Sequence, residues 1–312
     1  MKIEKITSRE FIMKYGILMV LVIMCILLCI TSPTFRTVNN VINILRQVSV
    51  NGIIAIGMTI VIMTGGIDLT VGSLIAVSGV VAGSILVAHP EGVGPAVLAA
   101  LAICALFGLM NGFFIAYAHV PAFIATLAAM SMARGFAYVY SDGKPYTLAS
   151  NKFRYIGKGY APIIIFLAIL LVSHLMLSKT KFGRYIYATG GNINAADASG
   201  VNTKSVLMRV YIISGVLAGI SGIVLASRTN SGQPAVGTGY ETDAIAAAVI
   251  GGTSMTGGVG SMGGTLVGIL IIGVLNNGLN LLNVSSYWQQ IIKGAIILGA
   301  VCFDLYSKDR AK

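Results

Sequence analysis

The sequence predicts an all-α, polytopic membrane protein with about ten transmembrane helices, some of them broken or half-length. Three observations point there. Only 10% of the 312 residues are charged and 56% are hydrophobic, with a mean hydropathy of +0.88, whereas a soluble domain carries roughly 25% charged residues. Apolar runs of span length follow one another, separated by short polar connectors. Glycine-rich stretches interrupt two of these runs, at Thr64–Ser73 and at Met255–Gly264.

Lys2, Lys5, Arg9 and Lys14 precede an apolar run from Tyr15 to Ile30. That start resembles a signal peptide, but TSPTFRT follows instead of a small-x-small cleavage site, so it reads as an uncleaved first span with a cytoplasmic N-terminus. Thr34–Gln47 is an outer connector. Val48–Met63 is the second span, which stops where Thr64-Gly65-Gly66 cannot continue a regular helix. Leu74–Val87, Pro95–Ala118 and Pro121–Tyr140 are the next three spans. Ser141–Tyr160 is an outer loop and Ala161–Ser178 the sixth span. After the polar segment Lys179–Val206, Leu207–Ala226 is the seventh span and Ser227–Glu241 an outer loop. Thr242–Thr253 is a half-length apolar segment, and Thr265–Leu282 and Tyr287–Cys302 are the last full spans.

The polar segment 179–206 carries Lys179, Lys181, Arg184 and Lys204 against one acid, Asp197. Its basic excess places it in the cytoplasm, and an even number of crossings then puts both termini there, beside the basic tail Lys308, Arg310 and Lys312. The loop at 141–160, with Lys144, Lys152, Arg154 and Lys158, runs against this rule. Within the polar segment, Asn194–Ser199 reads as a short surface helix, punctuated by Gly190-Gly191 and Gly200. Such a projection suits contact with a soluble partner, although an ordinary solvated loop has the same composition.

Several patterns are set aside. Gly258-Val259-Gly260-Ser261-Met262-Gly263 matches G-x-G-x-x-G, but the next acid is Asp304, well past the roughly 20 residues at which a ribose-binding carboxylate is expected. No Gly-Lys-Ser/Thr occurs, so the chain has no P-loop. Cys25, Cys29, Cys104 and Cys302 lie in apolar runs without metal-ligand spacing and read as structural thiols. The net charge of +11 sits at span ends, where anionic lipid accounts for it, so no nucleic-acid partner is expected.

Polar groups at membrane depth are the candidate translocation pathway: Asn51, Thr64, Asp68, Ser73, Asn111, Thr126, Asp243, Thr253, Asn276 and Asn277. Hydroxyls and amides suit a neutral, hydroxyl-bearing solute, and hydrogen bonding between helices explains many of them equally well. Asp68 lies in a glycine break, as a pathway residue or as a cap on the next helix. Glu241 and Asp243 stand at the mouth of the half-helix, as caps or gate residues. Arg134 and Lys293 lie near outer span ends, where they can snorkel. Glycines four apart at Gly79/Gly83, Gly108/Gly112, Gly215/Gly219 and Gly264/Gly268 indicate close helix packing. Met63-Thr64-Gly65-Gly66 and Met255-Thr256-Gly257-Gly258 form a weak internal echo, the pattern of paired broken helices in transporters.

Asn39–Ser73, Pro121–Pro145, Phe182–Val201 and Gln233–Lys293 together resemble the permease subunits of bacterial ATP-binding-cassette importers for monosaccharides, in the ribose-type group. The resemblance implies a single permease domain over 1–312 in the bacterial inner membrane. It implies three protein partners: a second copy of the chain, a cytoplasmic ATPase and an extracytoplasmic sugar-binding protein. ATP hydrolysis then belongs to a partner, and no cofactor is expected in this chain. Gly183, Arg184, Gly190, Gly191, Asn192, Ala196 and Asp197 would form the coupling segment docked on the ATPase. Asn276–Tyr287 resembles ribose permeases, whereas Trp288–Gly294 looks like galactose-type relatives and Thr242 replaces an expected Leu. Ribose is the expected sugar, with galactose-, xylose- and autoinducer-2-type permeases as alternatives. The rivals from other classes are a proton-coupled carrier with Asp68 as relay and a membrane enzyme, and a close cousin is the branched-chain amino-acid permease.

Overall fold

The computed structural model describes residues 8–148 and 150–309. In chain order it contains α1 (Ser8–Thr31), a 3-10 turn (Pro33–Arg36), α2 (Val38–Met63), α3 (Val71–Ala88), α4 (Val93–Ala116) and α5 (Ala122–Ser141). Strand β1 (Tyr146–Thr147), α6 (Asn151–Gly157), α7 (Ala161–Lys179), α8 (Lys181–Gly191), α9 (Ile193–Ala198) and α10 (Thr203–Thr229) follow. The chain continues through β2 (Ser231–Gly232), α11 (Tyr240–Ile250), α12 (Met262–Leu281) and α13 (Ser286–Asp309). The terminal basic groups, Lys2, Lys5, Arg9 and Lys14 and Lys308, Arg310 and Lys312, on which the expected placement of both termini rests, lie outside the described residues or side chains.

The bundle is all-α apart from the two short strands, which pair antiparallel with Tyr146 opposite Gly232. Among the described residues, seven helices (α2 to α5, α7, α10 and α12) are long and apolar enough to cross a membrane, and Gly16–Thr31 of α1 is a shorter apolar helix. The expectation of about ten crossings adds α1, the half-length α11 with its flanking loops, and α13. Helix starts follow local chemistry. The side chains of Thr37, Ser150, Thr180, Asn192, Asn202 and Ser261 each accept from a backbone N–H in the first turn of the helix that follows.

Two sequence expectations need correction. Thr34–Gln47 is not a connector, because Thr37 caps α2, which places Val38 to Gln47 in helix and buries Asn40 and Ile44. Residues 179–206 are not a loop bearing one short helix, because Thr180 and Asn192 cap two successive helices, α8 and α9. Gly190 and Gly191 are therefore the last residues of α8 rather than a hinge.

Helices α2, α3 and α10 form the buried centre, while α4, α5 and α7 present Leu98, Leu106, Phe123, Ile164, Leu171 and Val172 outward. An apolar side chain exposed this way needs no protein partner when lipid is the solvent. The helices meet through small residues. A Cβ at Gly108 or Gly112 would collide with the α10 backbone at Tyr211 or Met208, and one at Gly215 with the Cys104 carbonyl of α4. Close backbone approach of this kind supplies van der Waals contact where apolar burial drives little association.

Register places the loops. Ser214 meets Asp68, Ser78 donates to the Gly219 carbonyl, and Gly79 faces Ala226, so α3 and α10 run parallel. Beyond α10 the chain turns back. Gly232 packs on Gly79 in the middle of α3, and Gly237 packs five residues later on Gly72 at its N-terminal end. The segment 230–239 thus re-enters the bundle as the short strand β2 followed by turns, and α11 begins inside it. Irregular backbone at this depth is tolerated where protein or a water-filled cavity surrounds it.

Candidate functional site

One end of the bundle gathers both glycine-rich breaks and α8. Gly258 N donates to the Met63 carbonyl at 2.9 Å, joining the two Met-Thr-Gly-Gly segments directly. Gly190 of α8 fills the remaining space, where a Cβ would run into the Met63 carbonyl and the Gly258 nitrogen. Tyr187, on the same helix, donates its hydroxyl to the Gly260 carbonyl at 2.9 Å. Burial holds that phenol above its ordinary pKa and keeps it a donor. Helix α8 therefore touches both breaks and nothing larger than glycine fits at Gly190. The echo between the two segments is a physical junction.

Asp68 stands above this junction. Its carboxylate accepts from Thr70 N at 3.0 Å, from the Thr70 hydroxyl, and from Ser214 Oγ at 2.7 Å. Asn111 donates to Thr70 Oγ1 at 3.3 Å and Thr126 to the Ile67 carbonyl at 3.2 Å. Three of the predicted pathway residues, Asp68, Asn111 and Thr126, are thus one network that ties α3, α4, α5 and α10 to the first break. Asp68 braces the turn that leads into α3 through Thr70 N, one residue before the helix begins.

A second cluster lies halfway along the bundle. Asp243, in the first turn of α11, is 4% exposed. Its carboxylate receives Lys293 Nζ of α13 at 3.0 and 3.1 Å, and Asn51 Nδ2 of α2 and Asn276 Nδ2 of α12 at 3.4 Å each. The acid at a helix N-terminus also meets the positive end of the helix dipole. Asn276 Oδ1 is buried without a hydrogen-bond partner. Lys293 does not snorkel: its ammonium is held on the buried carboxylate of Asp243. Arg134 does not snorkel either. Its Nη1 donates to the Pro234 and Val236 carbonyls at 2.7 Å each and holds the re-entrant segment in place.

The other predicted pathway residues are not drawn into these clusters. Asn277 makes a reciprocal amide pair with Asn40 at 2.9 and 3.0 Å, Thr64 donates to its own helix at Val61, and Ser73 and Thr253 are buried singly. Glu241 caps locally, accepting from Gly239 N at 3.1 Å. In the predicted coupling segment, Gly183 takes its cap from Thr180 and packs on the Met176 and Leu177 carbonyls. Arg184, Gly191 and Asn192 are exposed, Ala196 is the buried anchor of α9, and Asp197 accepts from Thr203 at 2.7 Å. Sequence reasoning missed Thr70, Tyr187 and Ser214, and took Lys293 for a snorkelling residue. Hydroxyls and phenols that find partners only across helices leave no periodic signal, although the depth of Lys293 in its span was one.

Comparison with known proteins follows the same outline. Residues 40–301 match the family described as "Branched-chain amino acid transport system / permease component". The chain is 46% identical over 306 residues to the Ribose import permease protein RbsC of Escherichia coli (strain K12), covering 95% of each chain. It is 45% identical to RbsC of Bacillus subtilis (strain 168), covering 93% of this chain and 92% of that one. It is 40% identical to the L-arabinose transport system permease protein AraH of Escherichia coli (strain K12), covering 96% and 92%. No solved structure matches.

Proposed function

We propose, from the premise that this chain belongs to the branched-chain amino acid transport system permease-component family, that it is the membrane-spanning permease of an ATP-driven sugar importer. Ribose is the proposed sugar, because relatives from distant bacteria that match nearly the whole chain are ribose permeases. Arabinose- and xylose-type permeases share the family at lower identity. The chain acts as one permease unit over residues 1–312 in the bacterial inner membrane, with both termini cytoplasmic. It pairs with a second copy of itself, a cytoplasmic ATPase and an extracytoplasmic binding protein that delivers the sugar.

A single observation carries the mechanism. Gly190 of α8 is wedged against Met63 and Gly258, so a displacement of the α8–α9 segment reaches both helix breaks at once. Interiors this tightly packed transmit displacement rather than absorb it. The ATPase docks on the exposed face of α9 and its N-cap Asn192, while Ala196 and the Asp197–Thr203 hydrogen bond fix α9 to α10. ATP binding and hydrolysis in the partner move α8, the breaks follow, and the path opens alternately to each side. The midplane end of α11 is the discontinuity at which transporters of this kind place substrate contacts.

Co-purification tests this reading. Tagged chain extracted from its native membrane should bring down an ATPase, and replacing residues 192–197 should lose it while membrane insertion persists. A stable chain that recovers no ATPase and still accumulates sugar would overturn it in favour of a self-sufficient carrier.

A further inference from the structure

The Asp243 cluster has a mechanical position that packing alone does not require. α11 is 11 residues long, short enough to move as one rigid piece. Its C-terminal end runs into the segment 251–261, which α2 and α8 hold through Gly258–Met63 and Tyr187–Gly260. Its N-terminal end carries Asp243, gripped by groups from α2, α12 and α13. Whatever moves α8 therefore pulls on the Asp243 contacts through α11.

Those contacts are suited to release. Two of the four polar contacts to Asp243 are amides at the long distance of 3.4 Å. Asn276 Oδ1 remains buried and unpartnered, so the cluster as it stands is not fully satisfied. The strong element is the Lys293 ion pair, whose lysine side chain is 24% exposed and so is not enclosed by packing. Packed interfaces of this kind switch between discrete arrangements rather than deform continuously.

We propose that Lys293 is a positioning residue for transport: its ion pair with Asp243 latches the midplane end of α11 against α13, and the bundle opens to solute when this latch releases. The inference rests on the importer reading above. Lys293 touches no reacting group. It sets how often α11 leaves its seat, and the closed pair presents no net charge to a neutral sugar.

The test uses vesicles holding the chain with its ATPase and binding protein, comparing wild type, Lys293→Arg, and Lys293→Met combined with Asp243→Asn. The double variant removes both charges and so leaves no orphan ion. Lys293→Arg should keep the amount of sugar moved per ATP near that of wild type. The double variant should assemble and continue to turn over ATP, but move about tenfold less sugar per ATP, because α11 is no longer held until the coupling stroke. Wild-type uptake and stoichiometry in the double variant would reduce the pair to a structural tie and overturn the proposal.

A second measurement leaves the pair intact, which keeps the proposal testable if the double variant fails to accumulate. Spin labels replace exposed Thr242 and Gln290, with Cys25, Cys29, Cys104 and Cys302 changed to serine. The separation of α11 and α13 should differ between the nucleotide-free and ATP-trapped complexes, and an unchanged separation would overturn the latch. Wild-type vesicles that take up no sugar would sink the importer reading instead, so the two failures are distinguishable.

Discussion

Asp68 and Asp243 are both buried carboxylates in one apolar bundle, and they are satisfied in opposite ways. Asp68 accepts from Thr70 and Ser214, neutral donors a short distance away, with no cation within ion-pair distance among the described residues. Asp243 accepts from a lysine 50 residues further along the chain and from two amides on other helices. The first arrangement joins the turn before α3 to Ser214 of α10 through neutral donors alone. The second spans the bundle and exists only while α2, α11, α12 and α13 stay together. A carboxylate tied by neutral donors joins helices without a counter-ion, and one tied by a lysine on α13 depends on that helix staying in place.

The sharpest way to break the comparison is to remove each carboxylate's principal partner. Lys293→Met leaves Asp243 buried beside two amides without a cation. A loss of about 3–5 kcal/mol is expected, read as a fall in thermal unfolding temperature of detergent-solubilised protein. Adding Asp243→Asn should recover most of it. Ser214→Ala removes one donor from Asp68 and leaves Thr70 in place, so about 1–3 kcal/mol is expected by the same measurement. Equal losses at the two sites would erase the distinction.

The coupling end offers a contrast of its own. Gly190→Val cannot fit between Met63 and Gly258, whereas a Cβ at Gly191 meets open space. Gly190→Val should abolish uptake while Gly191→Ala keeps at least half of it, measured as labelled-sugar accumulation at matched protein level. The smallest effect is expected at the N-cap of α9. Asn192→Ala loses the bond to Ala195 N, worth about 0.5–2 kcal/mol, and should speed amide exchange in α9 alone.

Much of the architecture was legible in the sequence for a physical reason. A helix in lipid satisfies its backbone internally, so run length, glycine breaks and flanking charges locate the crossings without tertiary information. The half-helix at α11 and the two Met-Thr-Gly-Gly breaks were readable on those grounds, whereas the contact between the breaks was not. The boundaries of α2 and α8 were not, because Thr37 and Thr180 start helices among residues that look polar enough for a connector. Gly190 was legible as glycine, but its neighbours lie more than 60 residues away in sequence and its meaning as a wedge needed the fold. Lys293 was misread because span depth alone cannot distinguish a lysine that reaches the interface from one that reaches Asp243. Thr253, Asn277 and Ser73 carry the same sequence signal as Asn51 and Asn276, and only their placement separates them.

The most direct test of the account is sugar uptake and ATP hydrolysis measured together, in vesicles containing the chain with its ATPase and binding protein, for wild type and Gly190→Val. The account predicts ATP-dependent uptake by wild type, none when the ATPase is omitted, and a Gly190→Val complex that still binds ATPase but moves no sugar. Uptake without the ATPase, or undiminished uptake by Gly190→Val, would contradict the claim that α8 drives the two helix breaks.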